Sequence, residues 1–154
     1  MKIMAIDYGD AHTGIAISDR LETLAGFTTV INTRRQEEVV AQIRTLIAEH
    51  GVERLVLGYP KNMDGTLGPR AEKCAALGEI LRDATGLPLV LWDERRTTVS
   101  AAAILADNDT FGAKRKERLD SVSAAVILES FLNWRAHHPD EEPPEMLSPQ
   151  PAEV

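Results

Sequence analysis

The sequence has one cysteine, Cys74, so no internal disulfide can form. That lone thiol and four scattered histidines supply none of the spacings of a zinc site. No apolar run approaches the roughly 20 residues of a membrane-spanning helix. At the N-terminus, Asp7 interrupts the apolar stretch of MKIMAIDYGD before the core of a secretion signal could be completed. Together these absences predict a cytoplasmic protein in a reducing compartment. Nothing repeats along the chain, and aromatic residues are too few to form the platform on which RNP-type domains stack bases. With 154 residues the chain fits a single domain with one core.

A basic excess is missing as well, since the net charge is −7. Nucleic-acid binders usually carry a basic footprint, so the total argues against such a partner. The distribution reverses that impression. After Arg135 there is no Lys or Arg, whereas Asp140, Glu141, Glu142, Glu145 and Glu153 are acidic, which leaves 17 bases against 19 acids in the body. Within that body Arg34 and Arg35, Arg95 and Arg96, and Lys114, Arg115, Lys116 and Arg118 form local cationic clusters. Local clusters steer phosphates more than the total charge does.

The apolar pattern predicts strands at Lys2 to Tyr8, Thr13 to Asp19 and Phe27 to Ile31, the first two joined by the turn GDAH. Val39, Val40, Ile43, Leu46 and Ile47 share one face of a helix from Arg35 to His50, with Thr33 and Gln36 as its capping box and Gly51 as its stop. A buried strand at Arg54 to Gly58 precedes the polar loop YPKNMDGTLGP. A helix from Arg70 to Thr85 follows, and LPLVLW forms a fifth strand leading into Asp93 and Glu94. Thr97 or Thr98 caps a helix through Ala106, Asn108 to Arg118 forms a cationic loop, and Leu119 to Arg135 is the last helix. The order βββαβαβαα implies an α/β fold with a mixed five-stranded sheet covered by helices on both faces, the RNase H-like arrangement. The domain is expected over residues 1–135. Residues 136–154, acidic and holding five of the eight prolines, are expected to be disordered.

Three acids stand out. Asp7 lies in an apolar strand, where a carboxylate is costly unless paired or bound to a metal. Asp93 and Glu94 stand at the end of a strand in the parallel half of the sheet, where open α/β sheets bind ligands, and the residues alone leave the choice between them open. Asp120 opens the last helix. The topology brings these positions together because the first strand is central, the fifth lies beyond its neighbour and the last helix crosses them. Oxygen ligands of this kind suit Mg²⁺ or Mn²⁺, and a two-metal site can activate water and stabilise the leaving oxygen at phosphorus. Lys116 and Arg118 would assist the phosphate, with Lys114 and Arg95 as further substrate-binding candidates. The loop Asp64-Gly65-Thr66 with Gly68 offers backbone donors for a phosphate, and serves equally well as a plain connection.

The segments IDYGDAHTGIAISD, LGYPKNMDGTLGPRA, DERRTTVSAA and KERLDSVSAAVILESFL, in this order and spacing, resemble the signatures of the YqgF family, the RuvX or Holliday-junction-resolvase-like proteins. The resemblance spans Lys2 to about Leu132. It implies an RNase H-like fold, a bacterial cytoplasmic protein and a nuclease that matures the 5′ end of pre-16S ribosomal RNA. It also places the family's three metal-binding catalytic acids on Asp7, Glu94 and Asp120. This chain has His12-Thr13 where the family often has a basic pair, Tyr59-Pro60 in place of Leu-Pro, and Arg96 after Asp93-Glu94-Arg95, changes that touch substrate preference and spare every acid. Two other readings compete: a resolvase or non-catalytic binder of DNA four-way junctions, and an actin-like or sugar-kinase-like ATPase module, which the single-domain length disfavours. A homodimer is left open.

Overall fold

The computed structural model describes residues 1–22, 25–96 and 113–149, with backbone alone for residues 96 and 113–120. Its elements are β1 (Lys2–Asp7), β2 (His12–Ser18), β3 (Ala25–Asn32), α1 (Gln36–His50), β4 (Val52–Tyr59), α2 (Pro69–Thr85), β5 (Leu89–Asp93), a 3₁₀ turn (Glu94–Arg96), α3 (Ala113–His137) and β6 (Met146–Leu147). They form one sheet in the order β3-β2-β1-β4-β5-β6. β1, β2 and β3 pair antiparallel, β1, β4 and β5 pair parallel, and β6 returns antiparallel to β5. This is the expected RNase H-like mixed sheet, with β1 on the border between its two halves.

Helices on both faces explain why successive residues in the middle of β1, β2 and β4 are buried instead of alternating. On one face Met4, Ile6, Ile15, Leu55 and Leu57 pack with Val39 and Ile43 of α1 and Cys74, Leu77 and Leu81 of α2. On the other, Ile3, Ala5, Ala16, Val56, Val90 and Trp92 meet Ala124, Ile127, Leu128 and Phe131 of α3. Trp92 and Phe131 are edge-to-face at 5.4 Å, and the Trp92 indole N–H donates to Ser130 Oγ at 3.2 Å. Gly51 and Gly86 end α1 and α2 in the left-handed region, each donating its N–H back to the helix.

The structure corrects three expectations. The capping box at α1 does not form: Arg35 is the N-cap, and the Thr33 hydroxyl donates to Glu38 Oε2 at 2.6 Å. α3 begins at Ala113, so Lys114, Arg115, Lys116 and Arg118 belong to its first turns and not to a loop. The chain beyond residue 135 is not structureless, because α3 continues to His137 and Met146–Leu147 add a sixth strand. There the Leu91 N–H donates to the Glu145 carbonyl at 2.8 Å, and Leu147 joins the core beside α2. A short strand of this kind covers a sheet edge that would otherwise stay open. The helix expected from Thr97 or Thr98 to Ala106 lies outside the described residues.

Candidate active site

Side-chain alternation decides which groups share the α3 face of the sheet. Asp7 follows Ile3 and Ala5, and Gly58 follows Val56, on the strand surfaces that meet α3. Asp93 ends β5 with the parity of Leu89 and Leu91 on the opposite face, and Glu94 begins the 3₁₀ turn with its carboxylate at Gly58 beside Ile127 of α3. In the parallel register Ile6 faces Leu57, so Gly58 comes beside Asp7, and on its other side it faces Trp92. Gly58 therefore separates the strands that carry the two acids.

Its missing side chain is what makes room there. A Cβ on Gly58 would stand 2.7 Å from Glu94 Oε1 and 2.8 Å from Ile127 Cδ1, inside normal contact distance. The Glu94 carboxylate thus leans over the strand toward Asp7. Burial is the main reason its pKa rises to about 7, and the Asp7 charge pushes it further in the same direction. The Arg70 charge opposes the rise without cancelling it. Two carboxyls sharing a partly desolvated space, where burial and mutual repulsion oppose a second negative charge, form a donor set that suits a hard divalent cation.

Asp93 has a different part. Arg95 Nε lies 3.1 and 3.0 Å from its two carboxylate oxygens, and Nη2 lies 2.7 Å from Oδ2. The Arg95 backbone N–H also donates to Asp93 at 3.0 Å, and this grip holds the Asp93 carboxyl below its ordinary range. The same guanidinium reaches the Met63 carbonyl at 3.4 Å, tying the strand exit to the central loop. Arg95, a sequence candidate for substrate binding, is therefore engaged inside the protein.

The central loop also closes on itself. The Thr66 backbone N–H and hydroxyl both donate to Asp64 Oδ1, at 3.0 and 2.6 Å, and the Gly65 N–H donates to the Asn62 carbonyl at 2.8 Å. Of the donors that made this loop a candidate phosphate cradle, those of Gly65 and Thr66 are used within it. Asp120 lies in the helical backbone of α3, four residues before Ala124 and seven before Ile127. Its side chain, like those of Lys114, Lys116 and Arg118, is outside the described set. Among the described residues, no three His, Cys, Asp or Glu side chains gather into a metal-sized cluster; the Asp7–Glu94 pair supplies two.

One neighbour of the pair was not singled out by the sequence. Arg70, at the start of α2, sends Nη2 to the Tyr8 carbonyl at 2.6 Å and sets Nη1 3.5 Å from Asp10 Oδ1. It thereby reaches from α2 to the turn that immediately follows Asp7. The two residues are 62 positions apart, so no local pattern announces the contact.

A mixed sheet with β1 at its centre, helices on both faces and two acids on either side of the middle strand of its parallel half defines an RNase H-like protein. The model of the family described as "RuvX: Holliday junction resolvase" matches residues 1–134, and the chain belongs to that family. A protein of Halothermothrix orenii named "Putative pre-16S rRNA nuclease" is 43% identical over 135 residues, covering 88% of this chain and 96% of the relative. One of the same name from Listeria monocytogenes is 43% identical, covering 86% and 98%. Among solved structures, Thermus thermophilus RuvC in complex with a Holliday junction substrate superposes with a TM-score of 0.60 at 11% identity, covering 93% of this chain and 99% of that one. At that identity the likeness establishes the fold.

Proposed function

We propose that this chain is a metal-dependent endonuclease that hydrolyses phosphodiester bonds in structured RNA in the cytoplasm, with the 5′ end of precursor 16S ribosomal RNA as its substrate. The observation that carries this reading is the apposition of Asp7 and Glu94 across Gly58, which concentrates negative charge at the carboxyl ends of parallel strands. The relatives' shared name supplies the substrate.

Asp7, Glu94 and Asp120 would hold Mg²⁺ or Mn²⁺, which when bound polarises the scissile phosphate and lowers the pKa of an attacking water. The protein's own part is to hold the carboxylates where that charge is needed. β1 fixes Asp7 between two paired strands, β5 and its 3₁₀ turn set Glu94 beside it, and α3 carries Asp120 four residues before Ala124. Burial keeps the pair partly dry, which strengthens every charge interaction within it. Asp93, drawn off by Arg95, fixes the strand exit from which Glu94 projects.

The test is cleavage of precursor ribosomal RNA by the purified chain with Mg²⁺ or Mn²⁺, beside Asp7→Asn. Wild type should cut and the variant should bind yet barely cut. Equal cutting by both would refute the assignment. The family description favours a second substrate, a DNA four-way junction, so a junction belongs in the same assay. Junction cleavage without RNA cleavage would move the proposal to a resolvase with the same acids.

A further inference from the structure

The acid pair repels the substrate as well as binding cations, so some positive group must receive the phosphate. Three described cations around the site are otherwise employed or poorly placed. Arg95 is locked onto Asp93. Lys61 lies 2.8 Å from Glu145 Oε1 with its side chain only 17% exposed. Lys73 stands 3.9 Å from Asp10 Oδ1 with its side chain 68% exposed, and does not figure among the charges acting on Glu94.

Arg70 differs from all three. Its charge acts directly on Glu94, and its guanidinium is anchored by the neutral Tyr8 carbonyl, which fixes direction without neutralising it. Its acidic partner is loosely held: Asp10 is 3.5 Å away, and the two side chains are 50% and 70% exposed. Exposed ion pairs are worth little, whereas an arginine fork on a phosphate makes strong, charge-assisted hydrogen bonds. A Cβ on Gly9 would collide with the His12 carbonyl, which is why the tight turn after Asp7 requires glycine there, and Arg70 Nη2 lies against the same turn.

Resting on the nuclease reading above, we propose that Arg70 receives a phosphate beside the scissile bond, exchanging the Asp10 carboxylate for a phosphate oxygen while Nη2 stays on the Tyr8 carbonyl. Asp10 then acts as a resident competitor that holds the arginine in place until substrate arrives. The two residues therefore have opposite effects on RNA binding, which a merely structural ion pair would not produce.

The experiment measures binding of a hairpin from precursor ribosomal RNA by fluorescence anisotropy over a salt series, with the full chain carrying Asp7→Asn so that binding is read without cutting. Adding Arg70→Ala should weaken binding about tenfold or more. It should also flatten the slope of log affinity against log salt by about one phosphate contact. Arg70→Lys should restore the slope but not the full affinity, because a lysine keeps the charge and loses the fork. Asp10→Asn should tighten binding roughly two- to fivefold. Unchanged slope in Arg70→Ala, or weaker binding in Asp10→Asn, would overturn the proposal and leave Arg70 as a fastener of the turn. If Arg70→Ala does not fold, Arg70→Lys and Asp10→Asn decide by the same signs. Cutting by the Asp7→Asn background would refute the nuclease reading separately, since the binding slopes do not depend on turnover.

Discussion

Glu94 occupies the space that a side chain on Gly58 would need: its Oε1 lies 2.7 Å from the position of that missing Cβ. Both atoms that a methyl would strike, Glu94 Oε1 and Ile127 Cδ1, are ends of side chains that can shift. Gly58→Ala should therefore fold, at a cost of about 1–3 kcal/mol. The displaced carboxylate should lower the single-turnover cleavage rate roughly 10²-fold, since an error of about 1 Å in a reacting group costs that much. Thermal melts and single-turnover assays check both, and a folded variant cutting at the wild-type rate would show that the gap has no catalytic use.

The proton on Glu94 predicts a pH-dependent stability of the metal-free protein. Its carboxyl titrates at about 7 in the fold against an ordinary 4.5, so the contribution is fully present below 4.5 and is lost as pH rises to 7. The loss is on the order of 3 kcal/mol. Asp93, held below its ordinary range by Arg95, acts in the opposite sense and at lower pH, outside this window. Denaturant melts between pH 4.5 and 8 should show the decline, Glu94→Gln should remove it, and Mg²⁺ should offset it most above pH 7. A Glu94→Gln curve parallel to wild type would place the titration elsewhere.

The neighbouring acids should separate cleanly under substitution. Glu94→Gln should abolish cleavage and leave stability near neutral pH intact or raised, because it removes a disfavoured charge. Asp93→Asn breaks the fork to Arg95 and should cost about 1 kcal/mol while leaving most of the activity. Cleavage and melting data on the pair test this, and the reverse pattern would exchange their assignments.

Removing residues 140–154 deletes β6 and the Lys61–Glu145 contact. The exposed edge of β5 should lower the melting temperature by several degrees and promote association. Calorimetry and light scattering read the two effects, and an unchanged melt would mean that β6 adds nothing to the fold.

The sheet was legible because β1, β2 and β4 are apolar on both faces, a pattern that buried strands require, and because Gly51 and Gly86 mark the ends of their helices. Asp7 was legible as an acid out of place in such a strand. The choice between Asp93 and Glu94 was not, because it depends on where β5 stops and on Arg95 capturing one carboxylate. Arg70 was hidden for a related reason: its importance lies in a carbonyl 62 residues away. The last strand escaped notice because two residues are too few to display alternation, and a proline-rich acidic context reads as solvated chain. The Thr33 cap failed because its hydroxyl found Glu38 instead of an amide at the helix start.

β1 is hydrogen-bonded along both of its edges, whereas Glu94 stands on a three-residue turn just past the end of β5. Amides flanked by strands on both sides open with the whole domain, and those at an element's end open locally at much lower cost. The two acids thus sit on ground of unequal firmness, one set in the frame of the sheet and the other at the end of its strand. A disturbance at the strand exit is thereby confined to the Glu94 side of the site and leaves the wall that carries Asp7 intact.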